Sequence, residues 1–351
     1  MGSVYGKHIK YTLFGESHGK AIGISIDGLP SGVKIDEDMI NREMDRRRPG
    51  QNAWSTPRKE ADEFEILSGV FEGRTTGTPL CAVIRNTDKR SKDYGKMKST
   101  FRPSHADYTG YKRYEGFNDY RGGGHFSGRL TAPIVFAGAV AKQILSLSGV
   151  EILGHISQIG KVLDDSFLQV ENKRPTGEQF LLLDGSKAEV MKREIEEARL
   201  EQDSIGGKVE IAILNLKAGV GDPFFDTLES QLASGLFAVP AVKGVSFGRG
   251  FELASMRGSE ANDEMIIEDG IVRTTTNNNG GIVGGISNGM PIVLEVAIKP
   301  TPSIGKIQNT IDSEGNAVKL EIEGRHDPCI VPRAVPVVEA VCAMTILDAM
   351  R

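Results

Sequence analysis

Gly15-Glu16-Ser17-His18-Gly19-Lys20-Ala21-Ile22-Gly23-Ile24-Ser25-Ile26-Asp27 opens with the spacing G-x-S-x-G and continues as a period-two alternation. That spacing is the nucleophile elbow of serine hydrolases, which needs a strand before the serine and a helix after it. Here the alternation predicts a strand over Ala21–Asp27, and Gly23 in its middle disfavours a helix. The hydrolase reading loses its context. What remains is a tight turn, permitted by Gly15 and Gly19, that either presents the imidazole of His18 for proton transfer or is a surface turn carrying an idle histidine.

Outward from this stretch, similar alternation predicts strands at Leu80–Arg85, 209–216, Ile292–Ile298 and 318–322, each bounded by Gly, Pro or Asn. Helices are predicted over 36–48, ending at Pro49-Gly50, and over 131–147, with Pro133 in the first turn and Gly149 beyond the end. Ser186-x-x-Glu189 and Asp226-x-x-Glu229 read as capping boxes before helices at 190–200 and 228–237, and Pro336 opens a last apolar helix through Met350. Strands and helices intersperse without regular βαβ spacing, which predicts an α+β fold with mainly antiparallel sheets. Gly77-Thr78-Pro79-Leu80 and Gly289-Met290-Pro291-Ile292 each lead into an apolar strand, a hint of internal duplication. No low-complexity linker separates halves, so residues 1–351 are read as a single domain.

The 351 residues carry 42 Lys+Arg against 47 Asp+Glu, a formal charge of −5, which disfavours nucleic acid or an anionic membrane as partner and makes any anion site local. The longest apolar runs fall short of a bilayer span, so no membrane association is expected. Three widely spaced cysteines, Cys81, Cys329 and Cys342, fit a reducing, cytoplasmic compartment.

Chemistry concentrates in five further segments. Arg46-Arg47-Arg48 ends a helix, where cations suit the dipole, but three adjacent arginines cannot all face one way, so one or two are available to an anion. Arg102-Pro103-Ser104-His105-Ala106-Asp107 is followed by Arg121-Gly122-Gly123-Gly124-His125-Phe126-Ser127-Gly128-Arg129. The glycines free backbone N–H groups to face an anion at the start of the helix near Thr131, while Arg102, Arg121 and Arg129 offer bidentate forks. One Arg-Gly-Gly-Gly without repeats is a poor RNA segment. The loop from Asn277 to Gly289 lacks the P-loop and Rossmann spacings. Lys299-Pro300-Thr301-Pro302-Ser303 joins a cation and two hydroxyls on a stiff turn suited to phosphate or a flavin edge. Gly324-Arg325-His326-Asp327-Pro328 sets cation, imidazole and carboxylate ahead of a helix, a triplet that also serves salt-bridged structural turns.

Taken together and in order, these segments resemble the chorismate synthase family, over Gly15 to Pro336. The resemblance implies a lyase acting by anti-1,4-elimination of phosphate from 5-enolpyruvylshikimate-3-phosphate, which closes the shikimate pathway to aromatic amino acids. It implies reduced FMN used catalytically and a homotetramer whose subunits sandwich helices between two antiparallel sheets. It also implies the monofunctional form, supplied with reduced flavin by an external, NADP-linked reductant.

Carried over residue by residue, His18 is similar to the acid that protonates the departing phosphate and His105 to the histidine that protonates the reduced flavin. Asp327 is similar to the carboxylate that works with flavin N5 to remove the ring proton. Arg47, Arg48, Arg102, Ser127, Arg129 and Arg325 are the implied substrate contacts. His125, Phe126, Ser127, Gly284, Lys299, Pro300, Thr301, Pro302, Ser303 and Arg325 are the implied FMN contacts, and no metal is implied. A substrate with a phosphate of about −1.5 to −2 and two carboxylates requires such an arginine cluster. Ala53 stands where many members carry another arginine, with Arg58 or Lys59 as candidates to compensate, and 186–206 reads as scaffold. A flavin or phosphate binder without turnover would need the arginines but not the proton-transfer set His18, His105 and Asp327.

Overall fold

The alternating stretch after Gly19 becomes the middle of a five-stranded antiparallel sheet. Ala21–Asp27 pairs with Lys10–Gly15 on one side and Leu80–Arg85 on the other, with Val4–Tyr5 and Phe64–Ser68 at the edges. The computed structural model describes residues 2–50, 60–86, 98–170, 173–322 and 327–351. A second five-stranded antiparallel sheet runs in the order Val242–Phe247, Ile292–Ile298, Gly207–Leu214, Glu151–Ile159, Val162–Leu163.

Between the sheets lie two helices whose sequences are apolar on nearly every side, the pattern of a helix that meets no water. Thr131–Ser146 packs on the first sheet and Val331–Ala349 on the second, and the two pack on each other. Their axes come close because Gly138 faces Ala340, where a Cβ on the glycine would overlap the alanine side chain. Glu37–Arg47 and Leu228–Leu236 flank this pair. The layers match the expected sandwich of helices between two antiparallel sheets in an α+β fold, around one continuous core that includes Ile24, Phe136, Val338 and Leu294.

The duplicated motif has a topological counterpart. From Ala21–Asp27 the chain passes through Glu37–Arg47 to the edge strand Phe64–Ser68, inserts Leu80–Arg85 between the two strands, and later supplies Thr131–Ser146. From Gly207–Leu214 it passes through Leu228–Leu236 to the edge strand Val242–Phe247, inserts Ile292–Ile298, and later supplies Val331–Ala349. The two inserted strands are those that the Gly-x-Pro echoes precede.

Several boundaries differ for local reasons. Asp184, not Ser186, accepts the capping bond, so a short 3-10 turn, Gly185–Lys187, leads into the helix Ala188–Leu200. Thr227 caps Leu228–Leu236 by accepting from the Ser230 N–H, displacing Asp226 from that role. The last helix begins at Val331 with Pro332 in its first turn, so Pro336 lies inside it. The strand expected at 318–322 is Ala317–Leu320, paired with Gln308–Ile311 in a separate ribbon.

Candidate active site

The three arginines part company, as 100° per residue requires. Asp36 caps their helix by accepting from the Met39 N–H at 3.0 Å, and Arg48 leaves helical geometry just before Pro49. Arg46 turns to Glu339 (2.7 and 2.8 Å) and Glu43 on one side of the central helix pair. Arg48 pairs with Asp45 near the surface at 2.8 Å. Arg47 alone points inward and is buried, donating to Asp62 and, at 3.2 Å, to the Thr131 hydroxyl. Its Nε–H finds no acceptor among the described residues.

Arg47 forms one wall of a cavity of about 210 Å³ that Ser127, Arg129, Asp327, Arg333 and Glu60 also line. Arg129 is buried as well: it binds Asp62, Glu60 at 2.8 Å and, through Nε, the Asn86 side chain at 3.2 Å. Burial alone would raise the Asp62 carboxyl, but the charges of Arg47 and Arg129 and their hydrogen bonds hold it below its ordinary value. For Arg47, burial works against the charged form, Asp62 restores it, and Arg333 and Arg129 oppose it again. Asp327 accepts from Arg333 Nη1 at 2.7 Å, and Arg333 Nε donates to the Arg47 carbonyl at 3.0 Å. A larger cavity, about 460 Å³, opens on the other side of the helix pair beside Arg46, Lys142, Glu43 and Glu339. It holds none of the expected site residues, and its cations are already matched by those two glutamates.

The histidines are set by the glycine run. Gly122, Gly123 and Gly124 have φ of 59°, 84° and 54°, the left-handed region that glycine enters without cost. A Cβ on Gly122 would overlap the His18 ring, and one on Gly123 would lie 3.3 Å from His105 and 3.8 Å from the Ser127 side chain. The run thus makes room for two imidazoles, beyond the backbone exposure expected of it. Ser17 Oγ donates to the Gly122 carbonyl at 3.2 Å and so accepts from His18 Nδ1 at 2.8 Å, which makes Nε2 the basic nitrogen of the neutral ring and gives it a proton to donate only in the imidazolium form.

His105 Nδ1 sits 2.6 Å from Asp107, which Arg102 grips through Nε at 2.7 Å and Nη2 at 2.8 Å. Burial would raise the Asp107 carboxyl, yet the hydrogen bonds and charges of Arg102 and His105 hold it well below the usual carboxylate range. Arg102 reaches Ser303 at 3.3 Å, Lys299 donates to the Ser104 carbonyl at 2.7 Å, and Thr301 donates to the Asp327 carbonyl at 2.9 Å. Burial, with Lys243 nearby, lowers the Lys299 amine.

The structure therefore gathers Arg47, Ser127, Arg129 and Asp327 at one cavity, and joins it through Thr301 and Gly123 to the turn that contains Lys299, Pro300, Thr301, Pro302 and Ser303 and to His105. Asn86 donates to the carbonyls of Glu16 and Gly19 while accepting from Arg129, which ties the His18 turn to the same wall. Arg48 lies outside the cavity lining, and the forks of Arg102 and Arg121 are taken up by Asp107 and Asp119. His125 is held by the Gly15 carbonyl (2.8 Å) and Ser3 (3.1 Å), and the Phe126 ring lies beside Tyr114. Gly284 sits in the turn between Ile282–Val283 and Ile286–Ser287, where the neighbouring Gly285 packs on Asp222 and Thr227. Arg325, Ala53, Arg58 and Lys59 lie outside the described residues.

Glu60, Asp62, Asn86, Thr131 and Arg333 escaped the sequence reading. For Arg333 a signal existed: a cation in the first turn of an apolar helix opposes the helix dipole and needs a reason. The acids Glu60 and Asp62 carry no local signature, since only packing brings them to Arg129.

Known proteins resemble the chain over nearly its whole length. A family model described as chorismate synthase matches residues 9–351. Among curated relatives, the chorismate synthase of Methanocaldococcus jannaschii is 48% identical over 99% of this chain and 96% of its own length. That of Methanocella arvoryzae is 50% identical over 99% and 94%. A solved structure titled as the crystal structure of chorismate synthase superposes with a TM-score of 0.78 at 30% identity, covering 98% of this chain and 92% of that one. With nearly its whole length matched in sequence and in fold, the chain belongs to the chorismate synthase family.

Proposed function

We propose that this chain makes chorismate by anti-1,4-elimination of phosphate from 5-enolpyruvylshikimate-3-phosphate in the cavity between the two central helices, with reduced FMN as its cofactor. The observation that carries the reading is two buried guanidiniums, Arg47 and Arg129, side by side on a cavity whose lining also includes the carboxylate of Asp327. Buried cations held by carboxylates are costly scaffolding, and a substrate with three anionic groups gives them a use.

The residues fit the cofactor. A buried donor, Arg47 Nε, faces no protein acceptor among the described residues, and Lys299, Thr301 and Ser303 collect a cation and two hydroxyls on one turn beside His105. That turn, with His125, Phe126 and Ser127, would hold the flavin and its phosphate. Gly284 and Arg325 remain further proposed contacts. Reduced flavin, when bound, supplies electron density that helps phosphate leave and a ring nitrogen that shares in the proton removal.

The chain's own part follows from its geometry. Arg47 and Arg129 bind and orient the substrate anions, with Ser127 beside them; Arg48, Arg102 and Arg325 remain further proposed contacts. His18, its Nδ1 donating to Ser17, is the acid for the departing phosphate and gives up the Nε2 proton of its imidazolium form. His105, whose Nδ1 is held by Asp107, keeps Nε2 for proton delivery toward the cofactor ring. Asp327, oriented by Arg333, accepts the ring proton. We further propose a homotetramer, monofunctional and cytoplasmic, that receives reduced flavin from an external reductant; among the described residues no helix is long and apolar enough to cross a membrane.

Anaerobic incubation of the purified chain with this substrate and reduced FMN tests the proposal. Chorismate and phosphate should appear in equal amounts, and none with oxidised FMN. Phosphate release without chorismate would replace the elimination by hydrolysis.

A further inference from the structure

Two carboxylates share Arg129, and they stand differently toward the cavity. The Asp62 side chain is wholly buried, bridges Arg129 and Arg47, and does not line the cavity. Its backbone φ is 52°, on the left-handed side that aspartate enters more readily than most side chains. Glu60 lines the cavity and, among the described residues, forms its ion pair with Arg129 alone, at 2.8 Å.

Among the described residues, the charges on this wall balance before any ligand arrives. Arg47, Arg129 and Arg333 are matched by Glu60, Asp62 and Asp327. An anion entering a cavity whose described charges already cancel gains little from arginines already paired, and meets the carboxylate that lines it. Asp62 cannot yield, because its departure would leave the buried Arg47 beside Arg129 without the carboxylate that bridges them. Glu60 can, because it lines the cavity and, among the described residues, has Arg129 as its one ionic partner.

We infer that Glu60 is the exchangeable counter-ion of the pocket: the substrate's anionic group takes its place on Arg129, while Asp62 stays as the positioning residue that fixes Arg47 and Arg129. The inference deepens the proposed function and rests on its reading of the pocket as an anion site, not on the elimination.

Calorimetric binding of inorganic phosphate and, separately, of shikimate, a ring carboxylate without phosphate, to the full chain tests it. Glu60→Gln keeps the size of the side chain and removes its charge. It should bind at least one of the two probes about tenfold more tightly than the unmodified chain, the factor worth one charge-assisted bond. Which probe gains identifies the group that Arg129 receives. Adding Arg129→Gln should abolish the gain, and Asp62→Asn should weaken binding instead. Glu60→Ala serves the same comparison if the glutamine variant folds poorly, with thermal midpoints confirming the fold of each. Unchanged or weaker binding of both probes by a folded Glu60 variant overturns the inference. A chain that shows the gain but makes no chorismate keeps this inference and rejects the elimination.

Discussion

Gly122 and His18 are in contact so close that any side chain on the glycine would occupy the space of the imidazole. The same glycine supplies the carbonyl that orients Ser17, and Ser17 in turn fixes His18 Nδ1. Position 122 thus sets both where the ring lies and which nitrogen is tied to Ser17. Gly122→Ala should displace His18 and, with φ at 59°, strain the turn by roughly 1–2 kcal/mol. The expected result is turnover reduced about 10²-fold or more, the share of a general acid, with the thermal midpoint lowered but folding retained. Turnover close to normal in this variant would show that His18 holds no proton role.

Arg47 separates two effects that a surface arginine would not. Arg47→Ala leaves the buried Asp62 with Arg129 as its remaining ionic partner, so about 3–5 kcal/mol of stability should be lost, as for a broken buried pair. Arg47→Lys keeps the charge but not the fork. Substrate binding in the lysine variant should weaken by roughly 1.5–3 kcal/mol while most of the stability survives. Denaturation and substrate titration on the same samples distinguish these outcomes; full affinity in the lysine variant would make Arg47 a purely structural residue.

His155 offers a stability test away from the cavity. It is buried on the second sheet, with Nδ1 2.9 Å from Asp164 and Nε2 2.9 Å from Glu210. Burial would lower the imidazole, but its hydrogen bonds to Asp164 and Glu210 and their charges raise it above the ordinary 6.5. A raised folded-state value means that the stabilisation is full below pH 6.5 and fades as pH climbs through the folded value. The stability gap between the unmodified chain and His155→Gln, measured in urea across pH, should therefore be widest on the acid side of 6.5 and narrow toward alkaline pH. A gap that widened with pH would mean that the ring is neutral in the fold.

Periodicity served the framework well because strand alternation and all-apolar helices are local patterns. Ala21–Asp27, Leu80–Arg85 and Ile292–Ile298 fall at their expected boundaries, and the Gly-x-Pro echo marks the two inserted strands of the repeat. The caps were misplaced by one or two residues because several hydroxyls and acids compete at each helix start, and geometry selects Asp184 and Thr227. The divergence of Arg46, Arg47 and Arg48 was legible from helix geometry, but their partners were not. Asp62, Glu60, Asn86 and Glu339 lie 15 to 293 residues away from the arginines they bind, with no motif of their own. The role of the glycine run was half legible: its permissive backbone shows in the sequence, whereas its closeness to His18 and His105 is a tertiary fact.

Asp327→Asn, compared with the unmodified chain in anaerobic single turnovers, tests the central claim most directly. The substitution preserves shape and an acceptor for Arg333 while removing the charge and the basicity. With reduced FMN and 5-enolpyruvylshikimate-3-phosphate both bound, chorismate and phosphate should form together at least about 10²-fold more slowly in the variant. Binding of both molecules should be kept. If the variant retains more than about a tenth of normal turnover, too much for a lost base of that size, Asp327 serves only to anchor Arg333 and the proton leaves by another route.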